Sequence, residues 1–437
     1  MSSKNGQLYR SFNHTMVNPT HLADRILVHS EEKGVSLVLP WDIDSVVSLR
    51  GSFRTQPDFD GGEEVIQDIL VGMLDKGTQK RSKIEISALL EDCGASIHFS
   101  SSGLAIRFDV RCLKADLKTV LGLLNNQLRY PAFDEREFNL LKDRFVANIR
   151  RMEFDTSSRA SDALSRLIYT PSHPSWAIPT QDLLSKIQQT TIDDVRRYWQ
   201  SMVGLNDFSV VTVGDVAGFY AQDILTMAAD GLTCSPVEKK EYPLGSQKDE
   251  AVTEHIEIAD RSNLDVCMGH GIPVFKRSPA YLPLYLGVFA LGGNFSSHLM
   301  SSIRDRDGLT YGIRSALSGI HATYQGAWIT SVTMSRDKLA LGIEKTKSEI
   351  RSFIEESTPE RQLNTCKTTL IGSYQIQLST TGGLAATLLS NHEDGYPLQR
   401  IDTSPLEIQS VSVEEVNAAK AKYLAPDRLH VISAGSR

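Results

Sequence analysis

Ile187-Gln188-Gln189-Thr190-Thr191-Ile192-Asp193-Asp194-Val195 returns in the second half of the chain as Ile408-Gln409-Ser410-Val411-Ser412-Val413-Glu414-Glu415-Val416. The register then holds, because the step from Ile187 to Ile408 also carries Val210-Val211-Thr212-Val213-Gly214 onto Val431-Ile432-Ser433-Ala434-Gly435. Each copy reads as a helix followed by a closing strand, so the chain carries an internal duplication. At 437 residues it is also long for one hydrophobic core. Between the copies, residues 229–252 are rich in charge, Gly, Pro and Ser, the composition of a linker. The expected organisation is an N-terminal domain over 1–228, a linker over 229–252 and a C-terminal domain over 253–437.

Within the first half, residues 35–41, 46–53, 96–101 and 104–110 read as strands. Helical stripes follow at 117–128 and 135–152, where Phe138, Leu141, Phe145, Ile149 and Met152 keep the i, i+3, i+4 rhythm. An earlier helix has a broad apolar face in Val65, Ile66, Ile69, Leu70, Met73 and Leu74, with Asp60 and Glu63 as its expected capping box and Gly77 as its expected stop. Strands come in adjacent runs and so do helices. The fold class is therefore α+β: two homologous domains, each a mainly antiparallel sheet with helices packed on one face, rather than a doubly wound α/β sheet.

Composition narrows the function classes. The net charge is −7 with a pI near 5.9, and no Lys/Arg block forms a nucleic-acid footprint, which argues against nucleic acid and anionic membrane as partners. No apolar run approaches the ~18 residues of a membrane helix; the longest candidate, 281–291, is interrupted by Pro283 and Gly287. The start, Met1-Ser2-Ser3-Lys4-Asn5-Gly6, has no signal-peptide core. Five scattered cysteines without a Cys-x-x-Cys spacing read as buried free thiols, and eleven dispersed histidines form no His-x-x-x-His pair. Gly292-Gly293 is not a phosphate loop, and no Gly-x-Ser-x-Gly elbow occurs. His392-Glu393-Asp394 contains metal-friendly types but reads as an exposed loop charge cluster.

Chemistry concentrates at 299–317. Leu299, Met300 and Ile303 recur at helical spacing, Gly308 is a natural helix stop, and Tyr311, Ile313, Ser315 and Leu317 alternate as in a strand. Arg304 and Tyr311 thus bracket a helix-to-strand reversal. A guanidinium and a phenol hydroxyl held at such a corner can grip a peptide carbonyl, or the oxyanion formed when it is attacked. The plain structural reading instead pairs Arg304 with Asp305 or Asp307.

Five blocks agree in order with one family: Met73-Leu74-Asp75-Lys76-Gly77-Thr78, Tyr130-Pro131-Ala132-Phe133, Leu291-Gly292-Gly293-Asn294-Phe295-Ser296-Ser297, the run from Arg304 to Tyr311, and the closing strand of each half. Over nearly its whole length the chain resembles the insulinase and pitrilysin family of metallopeptidases, which includes the mitochondrial processing peptidase. In members that bind zinc, His-x-x-Glu-His precedes the Lys-Gly-Thr turn and a Glu on a later helix completes the ligands. The corresponding positions here are Asp68, Val71 and Gly72, with Asn148 at the later helix. Valine and glycine cannot ligate, and the chain is expected to hold no cofactor of its own.

The resemblance implies a zinc-lacking half or subunit, inactive alone, that lends Arg304 and Tyr311 to the active site of a zinc-bearing homologous partner acting on unfolded peptides. It also implies that His98, Phe99 and Ser100 lie on an edge strand able to pair with extended substrate. The alternative is an inert structural subunit, like the core proteins of the respiratory cytochrome complex. A homodimer is an option for the isolated chain. The compartment is expected to be cytoplasmic if the chain is complete, and periplasmic or secreted if it is the downstream half of an exported protein.

Overall fold

A computed structural model describes residues 21–436 except 33, 205–206, 234–239 and 245–249. The polar start, Cys234 and parts of the expected linker lie outside the described residues. In the first half the chain runs β1 (Leu27–Glu31), β2 (Gly34–Pro40), β3 (Val46–Arg54), α1 (Glu63–Met73), α2 (Lys83–Asp92), β4 (Ser96–Ser101), β5 (Ala105–Leu113), α3 (Leu117–Arg129), α4 (Glu135–Met152), α5 (Thr156–Ile168), α6 (Thr180–Gln189), α7 (Ile192–Met202), β6 (Ser209–Gly214) and α8 (Ala221–Ala229). The second runs β7 (Thr253–Glu257), β8 (Asn263–Ile272), α9 (Tyr281–Gly292), a π-helical turn (Met300–Arg306), β9 (Ile313–Ser318), β10 (Gly326–Ser335), α10 (Leu339–Glu355), α11 (Glu360–Leu378), α12 (Thr381–Glu393), α13 (Arg400–Ser410), α14 (Val413–Tyr423) and β11 (His430–Gly435).

The strands form two sheets, ordered β1-β2-β6-β3-β5-β4 and β7-β11-β8-β10-β9. All pairings are antiparallel except β2 with β6 and β7 with β11. The duplicated stretch of sequence is one device used twice. Thr191 and Asp194 cap α7 reciprocally, and Ser412 and Glu415 do the same for α14, each pair satisfying two orphan N–H groups.

Each sheet packs one face on its own helices. The first core joins Phe53, Ile106 and Val210 to Ile69, Leu70 and Leu121; the second joins Met268 and Trp328 to Leu286, Ile350 and Val416. The opposite faces are covered reciprocally. Helix α12 of the second half lays Leu384, Leu388 and Leu389 on Leu37, Leu39, Val211 and Val213 of the first sheet. Helix α5 of the first half lays Ala160 and Leu164 on Cys267, Ala327, Ile432 and Ala434 of the second. Neither half closes its own sheet.

Several local expectations need correction. Helix α1 is capped by Gly62 in the left-handed conformation (φ 69°), which only glycine adopts without strain, and no side chain caps it. The Glu63 carboxylate is turned back onto the Asp58 N–H, 2.9 Å away, so Asp60 makes no capping box. The helix ends at Met73; Gly77 (φ 114°) instead starts a bridge to Ser82. Tyr311 lies ahead of β9, because the Thr310 hydroxyl, bonded to the Gly312 and Thr333 carbonyls, holds the chain in a turn until Ile313. Cys112, Cys267 and Cys366 are buried, and Cys93 is half-buried.

Candidate active-site wall

Arg304 is positioned by a buried anchor and a surface brace. Leu299, Met300 and Ile303 seat the π-helical turn in the second core. On its outer side Arg306 donates to Asp307 and, at 2.7 Å, to Glu349, which also meets His298 at 3.0 Å. Burial alone would raise the Glu349 carboxyl, but Arg306 and His298 hold it below its ordinary range. Gly308 (φ 60°) reverses the chain, and its carbonyl accepts from Lys338 at 2.9 Å. The Arg304 guanidinium lies 5.5 Å from the centre of the exposed Phe295 ring and 3.6 Å from Asp305. The ion pair with Asp305 forms as the plain reading has it; the stacking on Phe295 was missed, although the Gly292-Gly293-Asn294-Phe295 turn that presents the ring stands in the sequence.

Tyr311 is 100% exposed, and among the described residues its hydroxyl engages nothing. It stands at the mouth of a cleft of about 450 Å³ lined by Asp265, Phe295, Met300, Arg314 and Thr333 among others. Among the described residues the outermost strand, β9, is paired with β10 alone.

The positions at which the resemblance placed metal ligands belong to the first half. Asp68 opens to water on one side but is hemmed in by protein, and desolvation raises its carboxyl while the Ser101 hydroxyl pulls it back. Next to it, Glu64 is pushed to about 7 by burial, with the Asp68 charge adding to the rise. Val71 packs against the first core. Gly72 faces Leu141 of α4 so closely that a Cβ would fall 2.8 Å from its Cδ2. Asn148 bonds along its own helix, to Met152 Sδ and Arg151. Among the described residues no group of three or more His, Cys, Asp or Glu could hold a metal ion. Asp68, Val71, Gly72 and Asn148 do not fit zinc.

His98, Phe99 and Ser100 lie on β4, the edge strand of the first sheet. His98 and Ser100 are exposed, and Phe99 packs on the first core. Helix α1 lies against this strand, where Gln67 donates to Ser101 at 2.7 Å and accepts from the Tyr198 hydroxyl at 2.8 Å.

The expected surface cluster at 392–394 is a seam instead. Arg107 of β5 grips Glu393 with two nitrogens, at 3.1 and 2.5 Å, and Lys276 pairs with the buried Asp394 at 2.6 Å. A cavity of about 600 Å³ opens beside them. Its Arg54, Arg107 and Lys276 are each paired with a carboxylate, and the Arg107–Glu393 pair joins the two halves.

Two sheets backed by helices, with a helix exchanged between duplicated halves and a degenerate ligand helix beside an edge strand, define a peptidase-type architecture without its metal set. Residues 68–172 match the family described as "Insulinase (Peptidase family M16)", starting at Asp68, and residues 189–370 match "Peptidase M16 inactive domain". The chain belongs to the M16, or insulinase, family and is a zinc-lacking half of it. It is 24% identical over 349 residues to "Non-peptidase homolog YmxG" of Helicobacter pylori, covering 79% of this chain and 78% of that protein. It is 21% identical to "Uncharacterized zinc protease YmxG" of Bacillus subtilis, over 86% and 89%. Among solved structures, a peptidase M16 inactive domain from Pseudomonas fluorescens superposes with a TM-score of 0.84 at 20% identity, covering 94% of this chain and 98% of that one. The periplasmic protease PqqL of Escherichia coli superposes with a TM-score of 0.72 at 14% identity; 94% of this chain covers only 47% of PqqL.

Proposed function

We propose that this chain is the non-zinc half of a two-part metalloendopeptidase, fused to or assembled with a His-x-x-Glu-His partner. In this reading Arg304 and Tyr311 face the partner's active site across a closed chamber. The partner supplies metal-activated water. Here Arg304 and Tyr311 donate hydrogen bonds to the scissile carbonyl and stabilise the charge that develops on its oxygen. His98, Phe99 and Ser100 of β4 offer an open backbone edge for an extended, unfolded peptide. The unit over 253–437 carries the pair, and the unit over 1–228 keeps the ligand helix as structure only.

The observation that carries this reading is Tyr311, fully exposed on a turn pinned by Thr310 while Arg304 rests on Phe295 beside it. A large ring held out in water in a fixed turn is fitted for something outside the chain. The test is cleavage of a quenched, unstructured peptide by the chain alone and by its mixture with the partner. The chain alone is expected to be inert and the mixture active, with Arg304→Ala or Tyr311→Phe lowering kcat/KM by roughly 100- to 1,000-fold, about 3 kcal/mol. Equal rates for variant and wild-type mixtures would sink the proposal. The second reading, a purely structural subunit, would then stand; it is favoured by the match of 189–370 to a domain described as inactive.

A further inference from the structure

Helix α5, lent by the first half to the second sheet, ends in a turn over residues 169–176 that is met by the loop over 319–325, which joins β9 to β10. The same loop holds the chain that connects the halves. Tyr242 donates its N–H to the Thr323 carbonyl at 2.8 Å, and Gln325 returns one to the Tyr242 carbonyl at 3.2 Å. The Gln325 side chain accepts from the Leu244 N–H at 2.9 Å. Phe59 and Leu104 of the first half pack with Tyr242 and Tyr324. Three stretches distant in sequence thus converge on one loop, at the far end of the strand that begins just after Tyr311.

His173 pins this junction. Only 2% exposed, it lies flat on Tyr169, with ring centres 4.4 Å apart, and nearly at right angles to Tyr324, at 5.8 Å. Its Nδ1 accepts the Ser175 N–H at 3.0 Å, which leaves the proton on Nε2, and Nε2 donates across the junction to the Gln325 carbonyl, also at 3.0 Å. The Ser175 bond requires the neutral ring. The titratable groups that face it are phenols, Tyr169 from its own turn and Tyr324 from the loop. Charge stands one layer further out, where His321 stacks on Tyr324 at 4.8 Å, next to Asp394, Lys276, Glu393 and Arg107. His321 has a carboxylate 3.6 Å away to answer a proton, whereas Nδ1 of His173 has a backbone N–H.

We propose that His173 makes this junction an acid-sensitive latch: a second proton on its ring releases the 319–325 loop and linker residues 242–244 from the turn at 169–176, while α5 and α12 keep the halves together. Burial lowers the latched ring from the ordinary 6.5 to about 4, with the Gln325 carbonyl opposing the shift. Between those values the released form takes up a proton that the latched form does not hold. The latch is therefore tightest above 6.5, weakens as pH falls through the window, and levels off below about 4. This device does not depend on the roles given to Arg304 and Tyr311.

The test is hydrogen exchange of the whole chain at pH 7 and pH 5, read by mass spectrometry and corrected for the intrinsic pH dependence of amide exchange. Wild type is compared with His173→Asn, which keeps an acceptor for the Ser175 N–H, and with His173→Gln, which keeps a donor for the Gln325 carbonyl. Neither variant titrates at this position. On going to pH 5, the opening equilibrium of peptides spanning 169–176 and 319–325 is expected to rise about twentyfold more in wild type than in either variant, the factor set by a group moved from 6.5 to about 4. Peptides of β8 and β11 are expected to hold steady throughout. Equal rises in wild type and variants overturn the latch, as does a wild-type rise that β8 and β11 share, since that is global loosening. Should one variant fail to fold, the other decides.

Discussion

Gly72 stands where a metal ligand was expected, and packing has taken the space beside it. Its missing side chain lets α1 and α4 approach until Leu141 occupies the space a ligand would need. Rebuilding His-x-x-Glu-His is thus a steric problem as well as a chemical one. Gly72→His is expected to lower stability by about 1–3 kcal/mol through overpacking. Urea unfolding checks this, and in the Gly72→His, Leu141→Ala double variant the two costs should fail to add because the cavity left at Leu141 receives the imidazole. Strict additivity would mean that the two side chains do not meet. None of this is legible in the sequence, which gives a glycine in a helix without saying what lies against it. That Val71 and Gly72 cannot ligate is legible, because it needs only residue types. Tyr311 falls between. Its alternation with Ile313, Ser315 and Leu317 suggested a strand, but Thr310 and Gly312 close a turn around it that periodicity cannot register.

At the scale of the element, the duplication repeats positions while changing chemistry. Trp199 of α7 donates from Nε1 to the Leu128 carbonyl, 2.8 Å away, at the end of α3. Its counterpart in the second copy is Lys420 of α14, which donates from Nζ to the Phe353 and Glu356 carbonyls, at 2.9 and 3.0 Å, at the end of α10. Both tie down the orphan carbonyls of a helix C-terminus, one with an indole and one with an amine. The amine has a pH consequence. Lys420 is fully buried, and burial lowers it from the ordinary lysine value of 10.5 to about 8, with Glu356 partly opposing the shift.

Between those values the unfolded chain keeps a proton that the folded chain has released, so this group makes stability rise with pH across the window and leaves it level below about 8. The wild-type free energy of unfolding minus that of Lys420→Met is therefore expected to climb from pH 8 to 10.5, by at most about 1.4 kcal/mol per unit. A difference that stays flat in denaturant titrations would mean the amine is still charged in the folded state. Element types were read more surely than their partners. Helix 135–152 and strand 96–101 have their expected bounds, because each buries one face at its own period. That same periodicity says a face is buried without saying by which neighbour, so the crossing of α5 and α12 between halves left no mark in the sequence.

For the whole molecule, that crossing makes the halves interdependent. Dividing the chain between residues 229 and 252 and producing either piece alone would bare Leu37, Leu39, Val211 and Val213 on one side, or Cys267, Ala327 and Ile432 on the other. Each piece alone is expected to aggregate or to bind a hydrophobic dye, whereas co-expressed pieces should elute together in gel filtration. Two monomeric, well-folded pieces would contradict this account of the exchanged helices. The Arg107–Glu393 pair at the seam adds registration to that apolar contact.

The exchange also fixes a timetable for biosynthesis. The first sheet is complete once β6 has been made, at residue 214, but the helix that covers its far side begins only at residue 381. At ordinary rates of translation this leaves the apolar stripe formed by Leu37, Leu39, Val211 and Val213 open for roughly 10–30 s on every ribosome. A nascent chain in that condition is a client for chaperones.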